Sequence, residues 1–336
     1  MNFSTLINAL PGACAQGLIW GIMAIGVYIT YRILDIADLT VDGTMATGGA
    51  TCIMMLMSGH NIWVAMLAAT GAGMLAGLVT GILHTAMGIP AILAGILTQL
   101  SLYSINLKIM GKSNQAVNVN NYDLLVSLRY IKGVAPWKNT IVIVIVITIL
   151  LIAILYWFFG TEFGASLRAT GCNPGMSRAQ GINTNFNKVI GLMLSNGLVA
   201  FSSALLAQYQ GFADVNMGRG AIVIGLAAVI IGEAIFGKIF RNFALSLLAV
   251  SFGAIIYYIV LQVVIWLGID TDLLKLLSAS VVAVFLAVPY WKGKYFTKPV
   301  HRAANASGES AGSGMNGRTA GSANGANAQK GGSRNA

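Results

Sequence analysis

The chain has 336 residues, of which 57% are hydrophobic and 9% charged, with a mean hydropathy of +0.77. Soluble domains carry about 25% charged residues, so a water-soluble globular fold is excluded. The formal charge of +10, from 20 Lys and Arg against 10 Asp and Glu, does not call for nucleic acid. Membrane proteins collect the same basic residues in their cytoplasmic loops.

Apolar runs near the roughly 17 to 25 residues needed to cross a bilayer recur along the chain. They predict an all-α, polytopic helical membrane protein with about nine or ten segments: Leu6 to Thr30, Ile36 to Met57, Ile62 to Leu83, Ile89 to Met110, Ile141 to Phe159, Val189 to Ala207, Ala221 to Phe236, Phe243 to Leu267 and Leu273 to Pro289. No basic region precedes the first run, which reads as a retained helix and not as a cleaved signal. The second opens with Asp38 and Asp42 and continues through Gly43, Gly48 and Gly49. The approach to Ala221 carries Asp214, Asn216, Gly218, Arg219 and Gly220. Both read as broken or re-entrant helix starts. The triplets Ala37-Asp38-Leu39 and Ala213-Asp214-Val215 each follow a helix containing Gly-Leu, in units of opposite predicted direction. That pattern suggests an inverted repeat of the kind transporters use.

Threading the chain alternately through these segments places thirteen of the 20 basic residues, among them Arg32, Arg168, Arg178, Lys188, Lys238 and Arg241, on one side. The positive-inside rule makes that side cytoplasmic, with the N-terminus outside and the C-terminus inside. Two long polar stretches then divide between the sides, Gly111 to Thr140 outside and Gly160 to Lys188 inside. The organisation is a membrane domain over 1–290 followed by a tail, 291–336, rich in Gly, Ser, Ala and Asn, which cannot bury enough surface to order itself and is expected to be disordered in the cytoplasm.

Ionisable residues at membrane depth are costly and point to function by default. Asp38 and Asp42, four residues apart, would share one helix face near the cytoplasmic end of their segment, with the Thr40 and Thr44 hydroxyls nearby. Capping of a helix that begins after Asp42 accounts for the same residues and is compatible with a place beside a path. Gln99 and Asn106 lie two turns apart, and Thr98 pairs with Ser101. With Asn196, Gln208, Asp214 and Asn216 they suggest a polar route through the bundle. Taken singly, each of these side chains serves as well as glue between helices. Catalytic readings fail. His60, His84 and His301 are isolated, and Cys14, Cys52 and Cys172 form neither a disulfide framework nor a metal site. Gly111-Lys112-Ser113 ends like a phosphate-binding loop but lacks the preceding glycine, because position 106 is Asn.

The stretch from Gly160 to Lys188 is too short for a domain and too patterned for a linker. Gly171, Asn173 and Pro174 would turn the chain between two short helices and make a knob projecting from the membrane. Through Gly164, Arg168-Ala169-Thr170-Gly171, Asn173, Ala179 and Gly181-Ile182, the chain resembles permease subunits of ATP-binding-cassette importers, in the family of branched-chain amino acid and ribose permeases. Asp38-Leu39-Thr40-Val41-Asp42-Gly43 with Gly48-Gly49 is a second match, and the resemblance covers most of Leu6 to Pro289.

The resemblance implies that this loop, including Glu162, Gly164, Arg168, Ala169, Thr170, Gly171, Asn173, Pro174, Ala179, Gly181 and Ile182, couples to a cytoplasmic ATPase. It further implies no catalysis or cofactor in this chain, ATP and Mg in the partner, an extracellular substrate-binding protein, a second permease chain that makes either a homodimer, the expected form, or a pair of related chains, and a bacterial plasma-membrane location. Translocation would run past Asp38, Asp42, Thr44, Gln99, Ser101, Asn106, Asn196, Gln208, Asp214 and Asn216. Gly211 to Gly218 and the long Gly111 to Thr140 loop look most like tryptophan or tyrosine uptake permeases. A hydrophobic or aromatic amino acid is the expected solute. Nucleosides or sugars, and a secondary transporter driven by an ion gradient, stay open as alternatives.

Overall fold

In the computed structural model the described residues are 3–118, 122, 124–131, 139–237, 242–268 and isolated positions between 273 and 287. The tail 291–336, the basic residues Lys238 and Arg241 and most of the ninth predicted segment lie outside them.

Ten helices occupy the described part of the chain: α1 (Phe3–Tyr28), continued by a π-turn over Ile29–Ile33, α2 (Thr40–Met57), α3 (Ile62–Thr85), α4 (Ala91–Met110), α5 (Thr140–Gly160), α6 (Glu162–Cys172), α7 (Pro174–Ala179), α8 (Thr184–Gln210), α9 (Ala221–Phe236) and α10 (Phe243–Trp266). The first eight predicted segments are all present as helices. Six helical stretches are long and apolar enough to span a bilayer: Leu6–Ile33, Ile62–Thr85, Ala91–Met110, Thr140–Gly160, Thr184–Gln210 and Phe243–Trp266. The protein is therefore a multi-pass helical membrane protein. Two three-residue strands, β1 (Asn114–Ala116) and β2 (Phe212–Asp214), pair antiparallel and clip the loop after α4 to the loop after α8.

The centre of the bundle is α1 against α8. Ser195, Ser202 and Tyr209, each seven residues apart, donate to the carbonyls of Gly26 (2.7 Å), Ile19 (2.7 Å) and Gly12 (3.3 Å). Partners that descend in α1 as they rise in α8 make the pair antiparallel, and the seven-residue step keeps the donors on one stripe. Around this seam the packing exchanges under α1↔α8, α2↔α9 and α3↔α10. Helix α3 lies along α8 as α10 lies along α1, and α2 crosses α8 as α9 crosses α1. The inverted repeat expected from two short triplets is thus present in the packing.

Small residues make these approaches possible where no hydrophobic force acts between helices in lipid. A Cβ on Gly73 would collide with Ala200 and Asn196, and one on Gly77 with the Leu192 carbonyl. The outer ring differs in character. Helix α5 is 22% buried, and the exposed residues along its first four turns, among them Val146, Ile149, Leu150 and Ile154, are all apolar.

Helices α2 and α9 are the broken ones. After the π-turn the chain reverses through Asp35, which adopts a φ of 54°, and α2 starts beside Asn196, inside the bundle. From the far end of α8, residues 211–220 dip back until Met217 meets Ser203 of α8, and there α9 starts. The two N-termini meet within the bundle.

One local expectation is corrected here. Gly171 does not break the chain between two short helices. It lies inside α6, packed so closely on the carbonyl of Ile33 that a side chain could not fit. The break is at Asn173, whose φ of −155° and ψ of 94° end α6, with Pro174 opening α7.

Candidate functional site

Asp38 and Asp42 do not share a helix face. Asp38 precedes α2 and caps it: Oδ1 accepts from the Thr40 N–H at 2.9 Å. Its other oxygen accepts from Asn196 Nδ2 at 2.7 Å, while Asn196 Oδ1 accepts from the Thr44 hydroxyl at 2.7 Å. All four residues are buried. Asp42 lies one turn further on and serves a different helix. Its carboxylate accepts from the N–H groups of Gly220 and Ile222, both at 3.0 Å, at the start of α9. An acid at the positive end of a helix satisfies its free donors. Gly218 lets the chain arrive there, because a Cβ would strike the Asp42 carbonyl. Both acids cap helices, but not one that begins after Asp42: α2 already starts at Thr40, so Asp38 caps it while Asp42, inside it, caps α9 across the bundle.

A hydroxyl chain runs from this centre. The Thr40 and Thr80 hydroxyls lie 2.7 Å apart, Thr80 donates to Thr98 at 2.9 Å, and Thr98 donates to the Ala94 carbonyl at 3.0 Å. Thr80 has no signal in the sequence, being one of three threonines, with Thr70 and Thr85, in an apolar helix.

The other residues assigned to a path divide. Ser101 is exposed and bonds back to Leu97 in its own helix. Gln208 is buried and engaged, receiving the Leu125 N–H at 3.3 Å and reaching Cys52 Sγ at 3.5 Å. Asp214 forms a turn with the Asn216 N–H at 2.6 Å and receives Asn114 at 3.3 Å across the two strands. Gln99 and Asn106, by contrast, line one cavity of about 340 Å³ together with Asp42, Tyr103, Val215 and Arg219. Arg219 also borders a second cavity of about 410 Å³, whose wall includes Asn216, Trp20, Tyr257 and Tyr258. Arg219 and Tyr103 were not among the predicted path residues. A cation immediately before a helix start in an apolar context was the available signal for Arg219.

At the end of the bundle reached by α5 and α8 stands the knob formed by α6 and α7. Thr161 caps α6, Asn173 caps α7 and Asn183 caps α8, each accepting a backbone N–H with its side chain. Asn187 of α8 holds α6 through Ser166 at 2.7 Å and Thr170 at 2.8 Å. The predicted coupling residues therefore point two ways. Gly164, Thr170 and Gly171 face the bundle. Glu162, Arg168, Asn173, Pro174, Ala179 and Gly181 are exposed, with Ala169 and Ile182 intermediate. At the tip Met176 is 63% exposed. Arg168 lines a cavity of about 490 Å³ with Tyr156, Trp157, Thr161 and Phe243. At the same end Arg32 and Glu233 pair at 3.1 Å. Among the described residues no group of three or more His, Cys, Asp or Glu could hold a metal.

A multi-pass bundle with helix starts buried in its core, a polar cavity beside them and a capped helical knob at one end has the build of a transport permease. Residues 11–288 match the family described as branched-chain amino acid transport system / permease component, and the chain belongs to that family of ABC-type permeases. It is similar to the tyrosine transport system permease protein of Clostridioides difficile (strain R20291), at 41% identity over 84% of this chain and 91% of that one. A galactofuranose transporter permease protein of Escherichia coli (strain K12) is 28% identical over 75% of this chain and 71% of its own. The solved structure of PsaBC from Streptococcus pneumoniae in complex with Fab aligns with a TM-score of 0.39 and 17% identity, over 78% of this chain and 95% of that one.

Proposed function

We propose that this chain is the membrane subunit of an ATP-driven importer of a hydrophobic or aromatic amino acid. An extracellular binding protein delivers the solute to the face carrying β1 and β2, and cytoplasmic ATPase subunits dock on α6 and α7. The N-terminus is outside, and a second copy of the chain completes the permease. ATP and Mg act in the ATPase partner, and no bond is made or broken in this chain. The observation that carries the substrate class is the 41% identity to a permease named for tyrosine. The galactofuranose relative, at 28%, keeps a sugar as the second reading.

The packing indicates how force would pass. Gly171 seats α6 on the Ile33 carbonyl, directly below the turn from which α2 departs, so a push on α6 reaches the start of α2 and the Asp38–Asn196 link. Alternating access then needs α2 and α9 to change their mutual contact.

Co-purification with a candidate partner ATPase tests the docking. Deleting residues 168–173 would remove Thr170 and Gly171 from the packing, so exposed-residue variants are the cleaner probe. Arg168→Glu and Met176→Glu should retain wild-type unfolding temperatures and lose the ATPase. Full retention of the ATPase by both variants would sink the docking assignment. Binding-protein-dependent uptake of labelled tyrosine against galactofuranose in proteoliposomes decides the substrate class.

A further inference from the structure

We infer that the cavity between α2, α4 and residues 215–219 is an amino-acid recognition site within the permease itself, with Arg219 holding the carboxylate and Asn106 hydrogen-bonding a polar group of the substrate side chain. The ligand class rests on the amino-acid reading above; the site rests on its own geometry.

Asn106 is fully buried, and neither its Oδ1 nor its Nδ2 has a hydrogen-bond partner. A buried amide left unpaired destabilises a fold, and native structures contain few. The buried amides elsewhere in this bundle are used: Asn196 has Asp38, Thr44 and the Leu192 carbonyl, and Asn187 has Ser166 and Thr170. Asn106 instead lines the cavity, with Gln99 and Tyr103 at positions seven and three residues before it. Those spacings put all three on one face of α4. A group that can both donate and accept, such as a phenol hydroxyl, would satisfy it.

The charges fit the same ligand. Among the described residues the one ion pair joins Arg32 to Glu233, and no carboxylate among them lies within ion-pair reach of Arg219. Asp42 already accepts two N–H groups from α9, leaving the cavity a guanidinium available to an anion and a carboxylate edge beside it. A zwitterion bearing both an ammonium and a carboxylate matches that pair. The volume, about 340 Å³, lies in the range of small-molecule sites. Helix α4 also differs from lipid-facing α5. It is similarly little buried, at 28%, yet its exposed residues include the serines Ser101 and Ser104.

The test uses the complete transporter in proteoliposomes, with saturating binding protein loaded with labelled tyrosine or phenylalanine, together with the unfolding temperature of each permease variant. Asn106→Leu should keep or raise the unfolding temperature, because an unpaired amide is replaced by an apolar group of similar size. It should slow tyrosine transport about tenfold, the scale of one lost hydrogen bond, while phenylalanine transport changes far less. Arg219→Gln should slow both substrates by about the same factor, with Arg219→Lys restoring part of the rate. Wild-type rates in Asn106→Leu and Arg219→Gln overturn the site while leaving the importer reading intact. A lower unfolding temperature in Asn106→Leu with equal loss of both substrates makes the residue structural and also overturns it. A wild-type transporter that moves neither amino acid overturns the substrate class, and the inference with it.

Discussion

Asn196 joins three backbone segments with one amide, since its partners Asp38, Thr44 and Leu192 belong to the link before α2, to α2 and to α8. Replacing it with Leu would leave a buried carboxylate oxygen without its donor, a loss on the order of 2 to 3 kcal/mol for a hydrogen bond to a charged group. We expect Asn196→Leu to lower the unfolding temperature in detergent, while Asp38→Asn, which can still cap α2, lowers it less than Asp38→Ala. Gly171 invites a sharper comparison. Gly171→Ala must displace α6 from the Ile33 carbonyl, whereas Gly160→Ala meets nothing within 4 Å. Limited proteolysis of the α6–α7 knob should accelerate in the first variant and stay unchanged in the second. Equal rates would mean that α6 is not seated on that carbonyl.

At the scale of elements, the start of α9 depends on a residue 178 positions away, because Asp42 supplies the cap that its own N-terminal residue Gly220 cannot. Losing a cap costs about 0.5–2 kcal/mol. Asp42→Ala should therefore speed hydrogen exchange at Gly220 and Ile222 more than at amides in the middle of α9, and uniform protection would contradict the cross-bundle cap. The α1–α8 seam is more redundant. Each hydroxyl donates to a carbonyl already engaged in its helix, and hydrogen bonds between membrane helices average about 0.6 kcal/mol. Ser202→Ala should be nearly silent, while Ser202→Leu, which puts a larger side chain at a fully buried position against α1, should lower the yield of folded protein.

For the whole molecule, the native cysteines report topology. Cys172 is exposed on the α6 end, Cys52 is buried in α2 and Cys14 is half-buried in α1. A membrane-impermeant maleimide should label Cys172 in inside-out vesicles and not in right-side-out ones, with Cys172→Ala abolishing the signal. Labelling from the outside would reverse the proposed orientation. The surface ion pair of Arg32 with Glu233 at that same end is 61% and 38% exposed and adds little to stability.

Hydropathy located the first eight helices to within a few residues of their ends, because crossing a bilayer requires uninterrupted apolar sequence and that requirement is local. The ends themselves were equally local: Asn61, Asn139, Thr161, Asn173 and Asn183 each cap the helix that follows by bonding an N–H two or three residues on. Even the two broken helices announced themselves, since Asp, Asn and Gly cannot open a helix that simply crosses lipid.

What each polar residue touches was decided only by the tertiary structure. Asp38 and Asp42 look alike in sequence, yet one caps its own helix and the other a helix in the opposite repeat. Gln99 and Ser101 are two residues apart, yet one lines a cavity and the other faces away. Gly164 and Arg168 belong to one motif, yet one holds the knob to the bundle and the other leaves it. The reason is physical: helix formation depends on neighbours a few residues away, whereas a buried side chain's partner is chosen by how helices distant in sequence pack, and only the folded bundle contains that information.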